Sequence, residues 1–320
     1  MALIETSGLR KAFRVRRDVI EAVRGVDMRV EQGEIFGFLG PNGAGKTTTM
    51  RMLTTLLPPG GGQASVAGYD LLHEPRKVRE RIGYVSQSGG ADRGATTREN
   101  LLLQAQLYGM SKAAAIKRVA ELLVTLELDS FADRLVKTAS GGQRRRLDLA
   151  MGLVHHPQLL FLDEPTTGLD PQSRARVWDE IRTLRANGTT VFLTTHYLDE
   201  ADALCDRVAI IDHGLIVAEG TPDALKRQVA GDVVTLGFGA GDSAARQARD
   251  ALHEQPFVRD LQSEDGSLRL YVERGEAALP IILRLLDDAG LRAQTIALAR
   301  PSLDDVFLRQ TGRSLRETGN

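Results

Sequence analysis

The stretch GPNGAGKT, Gly40 to Thr47, matches G-x-x-x-x-G-K-[ST], a loop suited to wrapping a phosphate. Glycines let the backbone close around an anion, and the helix that follows turns its positive end toward it. Pro41 has no amide hydrogen, so the cradle is expected from the N–H groups of Asn42, Gly43, Ala44, Gly45, Lys46, Thr47 and Thr48. Lys46 would reach the β- and γ-phosphates, and the Thr47 hydroxyl would ligate Mg²⁺.

Further along, LLFLDEP closes a short apolar run with two acids. Asp163 suits the magnesium-helper role, and Glu164, pointing past the strand end, suits a general base that holds water against the γ-phosphate. Capping of the turn before Pro165 is the plainer reading of the same pair. His196 ends the run TVFLTT, and Gln87 ends IGYVSQ. At such an edge the histidine can bond the γ-phosphate, and the glutamine can bind Mg²⁺ or the attacking water. Phe13, in RKAFRVRR, either stacks on adenine or is buried in the first sheet. The basic residues Arg14, Arg16 and Arg17 read most simply as a solvated face.

A second anion-binding turn lies far downstream. Ser140, Gly141, Gly142 and Gln143 open an amphipathic run, and a serine hydroxyl, glycine amides and a helix N-terminus make a γ-phosphate cap. The turn has no lysine and follows a helical insertion, so it cannot easily complete the pocket of its own chain. Two copies meeting head to tail would let each cap close over the other's ATP.

These groups need a scaffold. LIETSGLRKAF, VIEAVRGVDMRV and EIFGFLG read as strands, the last running into the phosphate loop. KTTTMRMLTTLL reads as a helix from Lys46 to the break at Pro58-Pro59-Gly60. Residues 96–156 read as mostly helical, with Ile116, Val119, Leu123 and Leu126 on one face. QLLFLDEP and TTVFLTTH are the apolar strands of a parallel sheet buried on both sides, whose C-terminal edge carries chemistry. RVAIIDHGLIVAEG reads as a hairpin turning at His213-Gly214. Near residue 228 the pattern shifts to a small βαββαβ-like arrangement, with an S-x-x-D cap at Ser302 and Asp305. His155 and His156 lack the company of a metal shell, and Cys205 reads as packing on the helix after His196.

The totals limit the classes of function. The 320 residues suit about two domains, with 42% hydrophobic and 26% charged residues. A formal net charge of −1 gives no sequence-independent field for nucleic acid. One cysteine excludes an internal disulfide framework. No apolar run approaches the ~18 residues of a membrane span, and the N-terminus has no apolar signal core.

Taken in order, GPNGAGKTTT, SQ at 86–87, SGGQ, LLFLDEPTTGLD and TTH resemble the ATP-binding cassette family over about residues 1–225. The resemblance implies an α/β P-loop cassette with a RecA-like core, an antiparallel β subdomain and a helical subdomain near 96–156. The cassette would span 1–227 and a small α+β domain for regulation or assembly 228–320. It makes Phe13 the adenine-stacking aromatic, Gln87 the Q-loop glutamine, and Ser140, Gly142 and Gln143 part of the signature. Asp163 and Glu164 become the Walker B acids, Asp170 the acid crossing the dimer interface, and His196 the switch histidine. Ala139 stands where the family commonly has leucine or another bulky residue, with little expected chemical consequence.

RRRLDLAMGLVHHPQLLFLDEPTTGLDPQSR, TTHYLDEADALCDRVAIIDHG and PSLDDVFLRQTG are similar to the ATP-binding subunits of bacterial drug exporters of the daunorubicin/doxorubicin-resistance type. That implies ATP and Mg²⁺ as cofactors, a second cassette and separate permease subunits as partners, and a peripheral place on the cytoplasmic membrane face. The segment SGGADRGATTRENLLLQAQLYG matches the region that meets the permease, with an unusually Gly-rich first half. A soluble cassette ATPase acting on nucleic acid or ribosomes is the alternative, as is export of lipid, polysaccharide or ions. A pure ligand-sensing regulator would leave the hydrolytic set unexplained.

Overall fold

The computed structural model describes residues 1–16, 18–228, 231–238, 242–264 and 266–312, so Arg17 of the basic stretch lies outside the described residues. Two compact units emerge, dividing between Pro222 and Asp223.

In the first unit, β1 (Ala2–Val15) and β2 (Asp18–Glu31) form a long antiparallel hairpin. Strand β3 (Ile35–Leu39) leads into α1 (Lys46–Leu53), followed by β4 (Gly61–Val66), β5 (Tyr69–Asp70), α2 (Pro75–Arg81) and β6 (Ile82–Val85). Three helices come next: α3 (Thr97–Leu107), α4 (Lys112–Thr125) and α5 (Gly141–Leu153). The chain then alternates through β7 (Leu159–Asp163), α6 (Pro171–Ala186), β8 (Thr190–Thr195) and α7 (Leu198–Leu204). It ends in the hairpin β9 (Arg207–Asp212) and β10 (Leu215–Gly220).

The sheet that positions the chemistry runs β10-β9-β3-β8-β7-β6, parallel except for β10. Its strands β3, β7 and β8 are buried at every residue, which is why they read as unbroken apolar runs. Phe36, Phe161 and Phe192 meet in its core, with Phe192 5.7 Å from Phe36 and 5.4 Å from Phe161 between ring centroids. The C-terminal strand ends therefore lie side by side at Leu39, Val85, Asp163 and Thr195. A second, antiparallel sheet runs β2-β1-β4-β5.

Three expectations need correction. Helix α1 ends at Leu53, short of the prolines, where Thr55 takes a left-handed φ of 62° that a right-handed helix cannot continue. On α4 the expected Val119 and Leu123 are buried with Ala115 and Leu122, and Leu126 is buried just beyond its end, while the expected Ile116 is exposed. Phe13 is 37% exposed on the β1–β2 hairpin, so it is not a core residue of the first sheet. His155 is a packing residue, with Nε2 donating to Ile82 O at 2.8 Å and its ring stacked on Tyr108. Cys205 ends α7, and its sulfur packs against Gly37 of β3, where any Cβ would lie 2.6 Å from it.

In the second unit, α8 (Pro222–Gln228) precedes β11 (Asp232–Gly237), α9 (Asp242–Leu252), β12 (Val258–Glu264), β13 (Ser267–Val272), α10 (Gly275–Asp288), β14 (Thr295–Ala299) and α11 (Leu303–Thr311). The antiparallel sheet has the order β12-β13-β11-β14. Its core joins Val234, Leu236 and Leu270 of the sheet to Ala248, Ile282 and Leu286 of the helices. Ser302 and Asp305 form the expected capping box on α11.

Candidate functional site

Strand β3 delivers the phosphate loop to the sheet edge. Gly40 N donates to Thr195 O at 3.2 Å, and a Cβ at Gly40 would lie 2.3 Å from Ile211 O, so only glycine fits. Gly43 and Gly45 take left-handed φ values of 80° and 108°. Ala44 fixes the loop: its N–H donates to Pro41 O at 3.2 Å, and its carbonyl accepts from Gly214 at 2.9 Å. The N–H groups of Lys46, Thr47 and Thr48 fall in the first turn of α1, where no intrahelical acceptor exists. Lys46 is buried, with Nζ donating to Gly40 O at 2.7 Å and Pro41 O at 3.1 Å. Burial lowers its pKa, and the Glu164 carboxylate works against that shift.

Two acids end β7. Asp163 Oδ1 accepts from Thr194 Oγ1 at 2.6 Å and lies 3.4 Å from Thr47 Oγ1. Glu164 has a φ of 45°, a left-handed conformation costing roughly 1–2 kcal/mol for an L residue. Its N–H is held by both Thr194 O and Thr194 Oγ1 at 3.1 Å. That turn throws the carboxylate into the loop cluster, where Oε2 accepts from Gln87 Nε2 at 2.8 Å and Thr167 Oγ1 at 3.1 Å. Oε1 lies 3.3 Å from His196 Nδ1 and 3.6 Å from Lys46 Nζ. The histidine contact is within ion-pair reach but lacks the alignment of a hydrogen bond. His196, then the Lys46 charge, holds the Glu164 carboxyl below the usual range against the opposing effect of burial. The group is thus an ionised carboxylate near neutral pH, able to accept a proton.

The structure brings Gln87, Lys46, Thr47, Asp163, Glu164 and His196 together. Ser140 sits apart as the exposed N-cap of α5, with Oγ accepting from Gln143 N at 3.2 Å while Gln143 Oε1 accepts from Ser140 N at 3.0 Å. Gly142 is half-buried beside Ser173, and Gly141 lines a cleft of about 450 Å³ with Gln87 and Glu164. Asp170 caps α6 through Ser173, its carboxyl held below the usual range by the Ser173 hydroxyl and amide. Among the described residues, no hydrogen bond or ion pair joins Phe13, Ser140, Gly142, Gln143 or Asp170 to the cluster around Glu164.

Sequence reading missed several partners. Thr194 and Thr167 hold the two acids, and nothing in the local sequence marks them. Arg145, buried on α5, donates to Ser86 O at 2.9 Å and to Asp163 O at 3.4 Å, the carbonyls just before Gln87 and Glu164. Asp148, one turn on, accepts from Gly90 N at 3.0 Å. The RRRLD run carries both residues and was the available signal.

The donor set fits a hard cation beside phosphates: Thr47 and Asp163 present oxygens side by side, and Gln87 keeps its amide oxygen outside the bond to Glu164. Among the described residues no cluster of three or more His, Cys, Asp or Glu side chains is placed to hold a metal ion.

The chain is similar to known proteins. Residues 23–167 match the ABC transporter family, and residues 220–311 match the ATP-binding protein DrrA1-3-like C-terminal domain. The daunorubicin/doxorubicin resistance ATP-binding protein DrrA of Streptomyces peucetius is 46% identical over 97% of this chain and 92% of that protein. The Nod factor export ATP-binding protein I of Burkholderia orbicola is 42% identical over 92% of this chain and 93% of that protein. A solved dimeric ATP-binding cassette in a post-hydrolysis state, bound to ADP and Pi, superposes with a TM-score of 0.63 at 26% identity. It covers 68% of this chain and 98% of its own. The nucleic-acid and ribosome alternative draws no support from these relatives.

Proposed function

Because the chain belongs to the ATP-binding cassette transporter family, as an ATP-hydrolysing subunit of an exporter, we propose that it powers efflux of a drug or antibiotic through a separate membrane permease. The observation that carries the catalytic part is the Glu164 carboxylate, ionised and held by Gln87, Thr167, His196 and Lys46 at the sheet edge. The drug-resistance relatives at 46% and 43% identity support the cargo class.

In this reading the phosphate loop binds the β- and γ-phosphates of ATP, and Lys46 exchanges its own loop carbonyls for phosphate oxygens. Phe13, exposed on its hairpin, stacks on adenine. Glu164 takes a proton from the water that attacks the γ-phosphorus as the bond to ADP breaks, and Gln87 orients that water. His196 donates to the γ-phosphate. Bound Mg²⁺, held by Thr47, Gln87 and Asp163, supplies charge neutralisation on the phosphates.

Each site needs two copies. The exposed Ser140-capped end of α5, with Gly141, Gly142 and Gln143, closes over the γ-phosphate of the partner copy, and Asp170 lies at that interface. The first unit is the motor, and the second serves regulation or assembly. No helix among the described residues is long and apolar enough to cross a membrane. We assign the transport path to permease subunits, with this chain peripheral on the cytoplasmic face.

Glu164→Gln tests the reading: ATP-driven pairing of the chain should persist while turnover falls about 10²-fold or more. Unchanged turnover would refute the base. Export is tested by recovering a multi-span membrane protein with the tagged chain from native membranes, then measuring drug accumulation with and without it. Export of a different molecule, favoured by the Nod factor relatives, would leave drug accumulation unaltered while ATP-responsive permease binding remained.

A further inference from the structure

Close behind the Glu164 cluster lies a carboxylate that the hydrolytic reading leaves without a role. Glu200, on α7, is fully buried. Its Oε1 accepts from Thr166 Oγ1 at 2.7 Å and from Trp178 Nε1 at 3.0 Å, while Oε2 has no hydrogen-bond donor from the protein. The two donors come from different segments. Thr166, also fully buried, stands two residues after Glu164, and Trp178 lies on α6, the helix capped by Asp170. Glu200 itself stands in the first turn of α7, four residues after His196. A single oxygen therefore ties together the segments bearing Glu164, Asp170 and His196.

Charge extends the link to the Ser140-capped helix. Burial lowers the pKa of Arg145 on α5, and the carboxylates of Asp148 and then Glu200 work against that shift. A carboxylate with one bonded and one unbonded oxygen is a poor way to stabilise a core, since an apolar side chain of similar size carries no desolvation penalty. Such a group is suited instead to selecting one geometry, because a shift of any segment breaks a bond that no water-exposed alternative replaces.

We propose that Glu200 is a positioning residue for the ATP hydrolysis proposed above, and the inference rests on that reading. It clamps the Glu164 segment against α6 and α7, and so maintains the 3.3 Å approach of His196 to Glu164. The clamp carries its own reporter, because Trp178 is the only tryptophan of the chain.

The test compares the full-length parent with Glu200→Met, Glu200→Gln, Thr166→Val and Glu164→Gln, measuring kcat, KM for ATP and tryptophan emission well below the melting temperature. Glu200→Met should lower kcat about tenfold or more with KM within about twofold, as expected for a misplaced reacting group. Its Trp178 emission should move. Glu200→Gln keeps a carbonyl oxygen for both donors and should restore kcat to within about threefold, with emission like the parent. A role in packing alone would lower the melting temperature and leave kcat per folded molecule unchanged, which overturns the proposal. So does unaltered emission in Glu200→Met. If that variant fails to fold, Thr166→Val decides, since it removes one donor to the same oxygen: a lowered kcat at constant KM supports the clamp, and a parental kcat overturns it. An active parent with an inactive Glu164→Gln and an unaffected Glu200→Met sinks the clamp alone. An inactive parent sinks the ATPase reading and the clamp with it.

Discussion

Glu180 on α6 offers a stability prediction whose sign can be worked through. Burial, with Glu127 adding repulsion, pushes its carboxyl up to about 7 from an ordinary 4.5, although Arg146 Nε stands 3.8 Å away. Its Oε2 is buried without a hydrogen-bond donor. Between these two values the folded chain binds more protons than the unfolded one, so stability falls as pH rises from about 4.5 to about 7. The loss is complete above that window and absent below it. The gap corresponds to roughly 3 kcal/mol at full ionisation. Glu180→Gln removes the titration while keeping the shape. It should match the parent near pH 4 and exceed it at pH 8.5 by about 6–12 °C in melting temperature, for a unit of this size. Thermal melts followed by circular dichroism across pH 4–9 supply the comparison, and taking the difference between the two proteins cancels every other titrating group. A difference that does not change with pH would refute the reasoning, because it would mean that Glu180 ionises alike in both states.

Three other perturbations follow from contacts in the first unit. Gly40→Ala places a methyl 2.3 Å from Ile211 O, so the phosphate loop must move, and calorimetric ATP affinity should drop about tenfold or more; parental affinity would contradict the packing argument. Ser140→Ala removes the hydroxyl that caps α5, at a cost of about 1 kcal/mol, seen as a melting shift of only a few degrees. Turnover should fall further than that shift explains, through impaired closure of two copies. Arg145→Met strips the donor from Ser86 O and Asp163 O and should destabilise the unit by about 1.5–3 kcal/mol; an unchanged melting temperature would show those bonds to be of no consequence.

The sequence announces the residues that phosphate chemistry constrains most tightly. Gly40, Lys46 and Thr47 were legible because a loop that surrounds an anion tolerates few other residue types. Asp163, His196 and Gln87 were legible as polar residues ending apolar runs, which is where a doubly buried parallel sheet reaches solvent. Ser140 and Gln143 declared a helix start through their spacing, and family likeness supplied Asp170. Most of the supporting shell stayed hidden for a physical reason. Thr194, Thr167 and Glu200 act through contacts between distant segments, and a threonine or glutamate at such a position has no local pattern that distinguishes it; the RRRLD run was the one local signal, for Arg145. The βαββαβ order of the second unit was legible, although strand β12, VRDLQSE, has no clear alternation of its own, being a polar edge strand.

What the hidden shell adds is a mechanical relation between the two anion-binding turns. The helix capped by Ser140 could have been free to swing as an appendage, but Arg145 and Asp148 hold it to Ser86 O and Gly90 N, on either side of Gln87. Gln87 in turn donates to Glu164. Arg145 also donates to Asp163 O at the end of β7, so α5 is bonded both to the segment bearing Gln87 and to the strand that leads into Glu164. Separating the capping turn from the phosphate loop along the chain then has a use. In the function proposed above, the Ser140-capped end of α5 meets a second copy, while the body of the same helix stays bonded to the segment bearing Gln87 and to the strand leading into Glu164.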